Sequence, residues 1–522
     1  MKKQWALVLF LLMTASSLVL AGGKSEAAEE DLSKQVLIVG SVDSVTTWDP
    51  SASYSTEIAY FTNLYEGLIR AAAPGSDQPF EPLLATAWEA SPDGLEWTFT
   101  LRRGVTFHDG TAFNAQAVKY SYERTMELGL GAAFILDPIE SITVVDDYTV
   151  LFKLSYAAPL DRIAASAYGS WIFSPAVKDK GREWFEEGNA AGTGPYKLES
   201  YKPDQEIVLV RNENYWGPKD TPAVQRVLVR IVKDAVTMQN MLEAGQADIV
   251  TLIPKESLSS VDDRDDCKVL TGPSFMNYAI HLNTQKPPLD NVLVRRAISY
   301  AIPYDDVITV SLGDLGTKAV SPIPFGQFGC ATDLPQYTTD LAKARDLMKQ
   351  AGFAGGIDRT LVFTFAAENA AHQAYAPLIK ESLEKIGIPV EVRPILWTAQ
   401  WEMMKGDPLQ AQDLGALLWW PTFNDPYETL ASLWRTEKKP FFNFAYYSNP
   451  RYDDLIDRAY ATPDEDEALK LYRAAQEILV QEAPSVYLFD LTTAVPMREN
   501  IQGFVINPAY PKAMYFYGVK KN

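Results

Sequence analysis

The chain has 522 residues, enough for three or four domains at roughly 150 residues each and for a large core. Hydrophobic residues make up 47% and charged residues 22%, and 12 Trp, 26 Tyr and 23 Phe exclude a disordered, collagen-like or coiled-coil chain. A net charge of -20 works against a nucleic-acid partner or a footing on anionic lipid. Three His and two Cys leave few side chains for zinc ligation, thiol chemistry or imidazole bases, so neither metal nor cofactor is expected.

At the N-terminus, Lys2 and Lys3 precede apolar runs from Trp5 to Leu12 and from Leu18 to Ala21, and the chain turns polar at Gly22-Gly23-Lys24. This is the order of a secretory leader, expected over residues 1–27 with cleavage after Ala21 or Ala27. Thr14, Ser16 and Ser17 interrupt the stretch, which argues against a membrane anchor. No Cys follows Leu20-Ala21-Gly22-Gly23, so a lipid anchor is not expected. The mature chain is therefore expected to be exported, in the periplasm or another extracytoplasmic space. There Cys267 and Cys330 are able to form one disulfide or to stay two buried thiols, and their spacing does not choose.

Strands and helices alternate along the mature chain, as in α/β proteins. Val36–Val39 is a short apolar strand, and Trp97–Leu101 with Val105–Phe107 around Arg102-Arg103-Gly104 is expected to form a hairpin. His108-Asp109-Gly110 is a turn, with His108 a turn residue rather than a ligand, and Asn114 caps a helix through Val118 and Tyr122. A helix over Val236–Ala244 closes at Gly245 before the strand Asp248-Ile249-Val250. Asp340 caps Leu341–Ala351 ahead of Gly352, and a helix over Leu378–Ile386 stops at Gly387 before the strand Val390–Val392. Thr462-Pro463-Asp464-Glu465 reads as a capping box with Pro at the first helical position, opening a helix that stops at Pro484.

No repeat or flexible linker separates these units, which suits lobes that share chain crossings. Pro and Gly concentrate at Thr271-Gly272-Pro273 and at Ser321-Pro322-Ile323-Pro324, and the first is the candidate crossing.

Enzyme signatures are missing: no Gly-x-x-x-x-Gly-Lys, Gly-x-Ser-x-Gly, His-Glu-x-x-His or Cys-x-x-Cys occurs. Asp262-Asp263-Arg264-Asp265-Asp266 has Arg at its third position and lacks the loop Gly, so it reads as a solvated acidic turn rather than a calcium loop. Aromatics are more informative. Trp397, Trp401, Trp419, Trp420, Phe423, Tyr427, Tyr446 and Tyr447 crowd one region among Asn424, Asp425 and Glu428. Rings that bury area beside a few orienting polar groups suit a cleft for a small polar solute. Trp419 to Pro426 is a loop by its Pro spacing.

Several runs carry a resemblance. Tyr65-Glu66-Gly67-Leu68-Ile69, Glu81-Pro82-Leu83-Leu84-Ala85 and Asp93 to Gly110, then Gly192-Thr193-Gly194-Pro195-Tyr196, Arg211 to Gly217, Gly245 to Ile249, Val294 to Ile298 and Tyr452 to Ile456 resemble, in order, the oligopeptide and dipeptide solute-binding proteins of ABC importers. The resemblance implies a two-lobed α/β periplasmic-binding-protein fold, type II and cluster C-like, with an extra N-terminal subdomain inserted in the first lobe. Residues 30–60, 186–270 and 487–522 would form lobe I, 61–185 the subdomain and 271–486 lobe II, with crossings near Thr271 and Ser485. The ligand, a peptide, would be enclosed between hinged lobes and passed to a membrane permease with its ATPase subunits.

The same resemblance places Trp397 and Trp419 at ligand-contacting positions, with Trp420, Thr422, Asn424 and Asp425 in the loop that follows. Where peptide binders carry an Asp for the α-amino group this chain has Thr422, and Asp425 is the nearest acid in sequence to take over. An uncharged aromatic cleft suits an oligosaccharide as the alternative solute. A secreted hydrolase is the reading from another class.

Overall fold

The computed structural model describes residues 35–219, 221 and 224–522; the expected leader, 1–27, lies outside the described residues. An eleven-stranded mixed sheet runs through the molecule. Its strands in chain order are β1 (Val36–Ser41), β2 (Tyr196–Lys202), β3 (Glu206–Arg211), β4 (Arg226–Ile231), β5 (Ile249–Val250), β6 (Cys267–Leu282), β7 (Gly316–Lys318), β8 (Leu361–Ala366), β9 (Val390–Ile395), β10 (Leu414–Trp419) and β11 (Ser485–Arg498). Across the sheet the order is β9-β8-β10-β6-β11-β5-β1-β4-β3-β2, with β7 on β11.

Two long antiparallel strands, β6 and β11, join the halves of this sheet. Cys267 faces Arg498 at one end of the pair and His281 faces Ser485 at the other, Thr271 faces Ala494 between them, and the register shifts between Pro273 and Asn277. Proline has no N–H for the ladder, so its place at the irregularity follows from its chemistry. On one side β11 continues into β5 and β1, and on the other β6 continues into β10. The chain end returns to the first half, where Phe516 N donates to Asn63 Oδ1 at 2.8 Å and Asn63 Nδ2 donates to Met514 O at 2.7 Å.

The runs that carry the resemblance pack on one another. Glu66, fully desolvated, accepts hydrogen bonds from the Thr193 hydroxyl, the Tyr215 hydroxyl and the Trp216 indole, all at 2.8 Å. A buried carboxylate is costly unless its oxygens are satisfied, and three donors from two distant segments satisfy this one. Gly192 is required for close approach, since a Cβ there would collide with the Leu64 carbonyl oxygen. His108 joins the same knot through Nε2 and Gly194 O at 3.0 Å, and burial pushes its imidazole down to about 4.

A separate four-stranded sheet pairs Glu96–Leu101 with Ala85–Ala90 on one side and Thr149–Leu154 on the other, with Ile139–Asp146 outermost. Phe99, Phe152 and Tyr122 form its core, and the helix Ala115–Leu128 covers it. The hairpin expected over residues 97–107 is therefore not formed. Thr106 bridges Ala112 instead, and Phe107 N donates to Thr111 O at 2.8 Å. Glu96–Leu101 already has both edges taken, one by Ala85–Ala90 just before it and the other by the distant Thr149–Leu154.

Caps expected at Asn114 and Asp340 are in place: Asn114 accepts from Gln116 N and Ala117 N, and Asp340 from Lys343 N at 2.9 Å. Two helix starts differ. The helix stopping near Gly387 begins at Ala370, capped by Asn369, and carries Pro377 inside. The last long helix, Glu465–Glu482, is capped by Asp464 rather than Thr462, whose hydroxyl is held by the Arg458 carbonyl at 2.5 Å. Cys267 and Cys330 are both free thiols. Asp266 of the acidic turn bonds Arg264 and Arg498. Among the described residues no helix is long and apolar enough to cross a membrane.

Candidate ligand-binding site

Three parallel strands, β9, β8 and β10, end on the same side of the sheet: Ile395 and Ala366 are paired, and β10 runs on beyond them to Trp419. In open α/β sheets ligands bind beyond the carboxyl ends of such strands. Here the chain supplies Glu368 and Asn369 after β8, Trp397 and Trp401 after β9, and Trp419 and Trp420 at the end of β10. Together with Ala416, Leu417, Leu418, His372 and Phe442 they wall a cavity of about 440 Å³. Tyr54 and Ser55, from the loop after β1, close it from the other half of the molecule.

The walls are mostly rings. Trp397 and Trp401 lie parallel, 5° apart with centroids 6.2 Å apart, and Phe442 stacks on Trp401 and meets Trp419 edge-on. Trp419 is buried in the core of this half, whereas Trp397, Trp401 and Trp420 are half-buried. Polar groups are few. The Trp419 indole N–H and both His372 ring nitrogens have no hydrogen-bond partner among the described residues. Burial pushes the His372 imidazole down to about 3, so it is neutral. Glu368 Oε1 accepts from Trp397 N at 2.9 Å.

Of the six residues expected to touch ligand, Trp397, Trp419 and Trp420 come together round this cavity. Thr422, Asn424 and Asp425 do not line it; they hold the two halves together. The Thr422 hydroxyl meets Tyr54 Oη at 3.1 Å and donates to Glu428 at 2.9 Å, and its carbonyl accepts from Ser166 at 2.9 Å. Asn424 O accepts from Arg162 at 3.2 Å. Asp425 lies 3.3 Å from Arg162, caps the helix Pro426–Trp434 by accepting from Tyr427 N at 2.8 Å, and accepts from the Tyr472 hydroxyl at 3.2 Å. The role expected of Asp425, neutralising a ligand ammonium, is therefore corrected: its charge is already paired with Arg162, which also stacks on Phe328 at 3.7 Å.

Glu368 is the acid that reading along the chain passed over. Its only sequence signal is an acid just before a helix cap, Asn369, at the end of an apolar strand. A second cavity, of about 240 Å³, lies wholly in the first half, and its charges are internally matched, with Arg70 on Glu81 at 2.6 Å and Glu66 in the knot described above.

Residues 79–441 match the model of the bacterial extracellular solute-binding proteins, family 5, middle part. This chain belongs to that family. The family-5 chain is 31% identical over 487 residues to the probable D,D-dipeptide-binding periplasmic protein DdpA of Escherichia coli, covering 91% of this chain and 92% of that protein. It is 28% identical to heme-binding protein A of Haemophilus influenzae, over 84% of each. Its fold is that of the periplasmic binding protein DppA from Helicobacter pylori, solved with the peptide STSA, with a TM-score of 0.79, 28% identity, and 93% and 98% of the two chains covered. The family-5 chain is a two-lobed solute-binding protein, and the cavity between β-strand ends and Tyr54 lies where its halves meet.

Proposed function

We propose that this solute-binding protein is exported by the leader at residues 1–27, encloses a peptide in the cavity between its halves, and hands it to an ABC permease and its ATPase subunits without chemistry on the ligand. One observation carries the reading: a ring-walled space of about 440 Å³, closed from both halves and with few polar groups, is what enclosure of a small amphipathic solute requires. The ligands named for the E. coli and H. pylori relatives, a D,D-dipeptide and the peptide STSA, support the peptide class.

Trp397, Trp401, Trp419, Trp420 and Tyr54 are the proposed contacts. Lobe I is proposed as residues 30–60, 186–270 and 487–522, with 61–185 inserted and 271–486 as lobe II. The shared β6 and β11 are then the hinge, bending where the register shifts opposite Asp490–Thr492. An oligosaccharide is the second reading, favoured by the parallel Trp397 and Trp401 faces. Native mass spectrometry of the protein purified from an exporting host separates these: a peptide mass released unchanged on denaturation supports the proposal, a hexose-spaced mass supports the sugar, and a cleaved product supports a hydrolase.

A further inference from the structure

We propose that the cavity in the first half is a second binding site, and that it takes an uncharged one-ring molecule carrying a carbonyl or hydroxyl oxygen. It lies among the helix Ile58–Leu64, the paired strands Ile69–Ala71 and Phe80–Pro82, and the returning chain at residues 503–517. It shares no lining residue with the cavity between the halves. Such a site is additional to the carriage of a peptide and does not depend on it.

No charge is left over on its wall. Arg70 is paired with Glu81 at 2.6 Å, and Glu66 already accepts from Thr193, Tyr215 and Trp216, so an ionic ligand would meet no free counter-charge to offset its dehydration. Other polar groups are committed as well. The Asn507 amide donates to Ala71 O at 3.0 Å, and the Tyr510 hydroxyl donates to Ala165 O at 2.8 Å while accepting from Ala71 N at 2.7 Å. Two groups on the wall have no partner among the described residues: the Thr62 hydroxyl and the indole N–H of Trp171, a residue 5% exposed. A buried donor left unmet is costly, and an acceptor oxygen on the occupant is what these two lack. Ile69, Leu83, Ala513 and the Tyr65 ring make much of the remaining wall apolar. Water suits such a space poorly, because each buried water needs about two to four polar partners. A dry cavity of about 150 Å³ holds a benzene ring, so one of about 240 Å³ has room for a ring with a short polar substituent.

Calorimetry with three probes of similar shape tests this: acetophenone, ethylbenzene and benzoate, each against the natural protein and the double variant Thr62→Val, Trp171→Phe. The first carries a ring and an acceptor, the second the ring alone, the third the ring with a charge. On the natural protein acetophenone should bind about tenfold more tightly than ethylbenzene, and benzoate more weakly than either. In the double variant the two neutral probes should differ less than about threefold, because the ring space stays and both donors are gone. The comparison on the natural protein stands by itself even where the variant folds poorly. Four results overturn the assignment: no binding of either neutral probe, which would mean a water-filled space; equal binding of the two to the natural protein; benzoate binding as tightly as acetophenone; or the double variant keeping the natural preference, which would put the probe elsewhere. None of the four touches the peptide reading.

Discussion

Arg162 and Asp425 form an ion pair across the two halves of the molecule, with Nε 3.3 Å from Oδ2 and both side chains at least nine-tenths buried. The pair sits beside the cavity rather than in it, in a cleft shared with Phe328 and Tyr472. Arg162 also reaches Glu465 at 3.0 Å, so one guanidinium ties the short helix Leu160–Ala164 to a loop and a helix of the other half.

Removing one charge of a buried pair costs about 3 to 5 kcal/mol when the other is left uncompensated, and less here because Arg162 keeps Glu465. Asp425→Asn is therefore expected to loosen the closed form. X-ray scattering without ligand should give a larger radius of gyration than the natural protein, and a saturating peptide should restore most of the difference by mass action. An unchanged radius would mean that the pair does not hold the halves together.

Trp397 and Trp419 are expected to separate binding from folding. Trp419 is 6% exposed and packs in a core with Leu430, Trp434 and Phe444, so Trp419→Ala should lower stability by about 3 to 5 kcal/mol. Trp397 lies half-buried on the cavity wall. Trp397→Ala should cost about tenfold or more in affinity with a much smaller change in melting temperature, which thermal unfolding beside calorimetry would read.

Glu428 makes stability depend on pH. It is buried behind Thr422, its Oε2 has no partner among the described residues, and burial pushes its carboxyl up to about 8. Asp490, in β11, is pushed up to about 7 for the same reason. Each is protonated in the folded chain at a pH where the unfolded chain has released the proton. Their contribution is thus fully present below the ordinary carboxylate range and is lost as pH rises through about 7 to 8, on the order of a few kcal/mol in total. Melting temperature should fall between about pH 5 and pH 8, and Glu428→Gln, neutral throughout, should make that fall shallower. A variant with the natural slope would remove Glu428 as its source.

The two thiols should be silent. Cys267 is buried and Cys330 half-buried, and burial pushes the Cys330 thiol up to about 11. Because the thiolate is the reactive form, a thiol reagent at neutral pH should label neither until the protein unfolds. Dithiothreitol should leave the melting temperature unchanged; a fall on reduction would indicate a bridge.

Local signals in the chain fixed what depends on near neighbours. Asn114 and Asp340 cap the expected helices because their side chains meet backbone N–H groups two or three residues on. Gly387 stands at φ +82°, tight against Gly356, where a side chain would be both strained and crowded. Misreadings arose where another segment took over. Residues 105–107 could not pair with 97–101 because residues 85–90 and 149–154 had filled both edges. In the site the ring cluster was legible, since its residues crowd together in sequence. Its charge was not: Asp425 is near those rings along the chain but turns toward Arg162, while Glu368 reaches the cavity only because β8 and β9 end side by side.

Diffraction from crystals grown with Leu-Phe amide tests enclosure of a peptide between the halves most directly. The expected result is the peptide between Tyr54 and the rings of Trp397, Trp401 and Trp419, with the Arg162–Asp425 pair intact. A peptide seated instead in the cavity beside Arg70 and Tyr515, with the space between the halves empty, would contradict it.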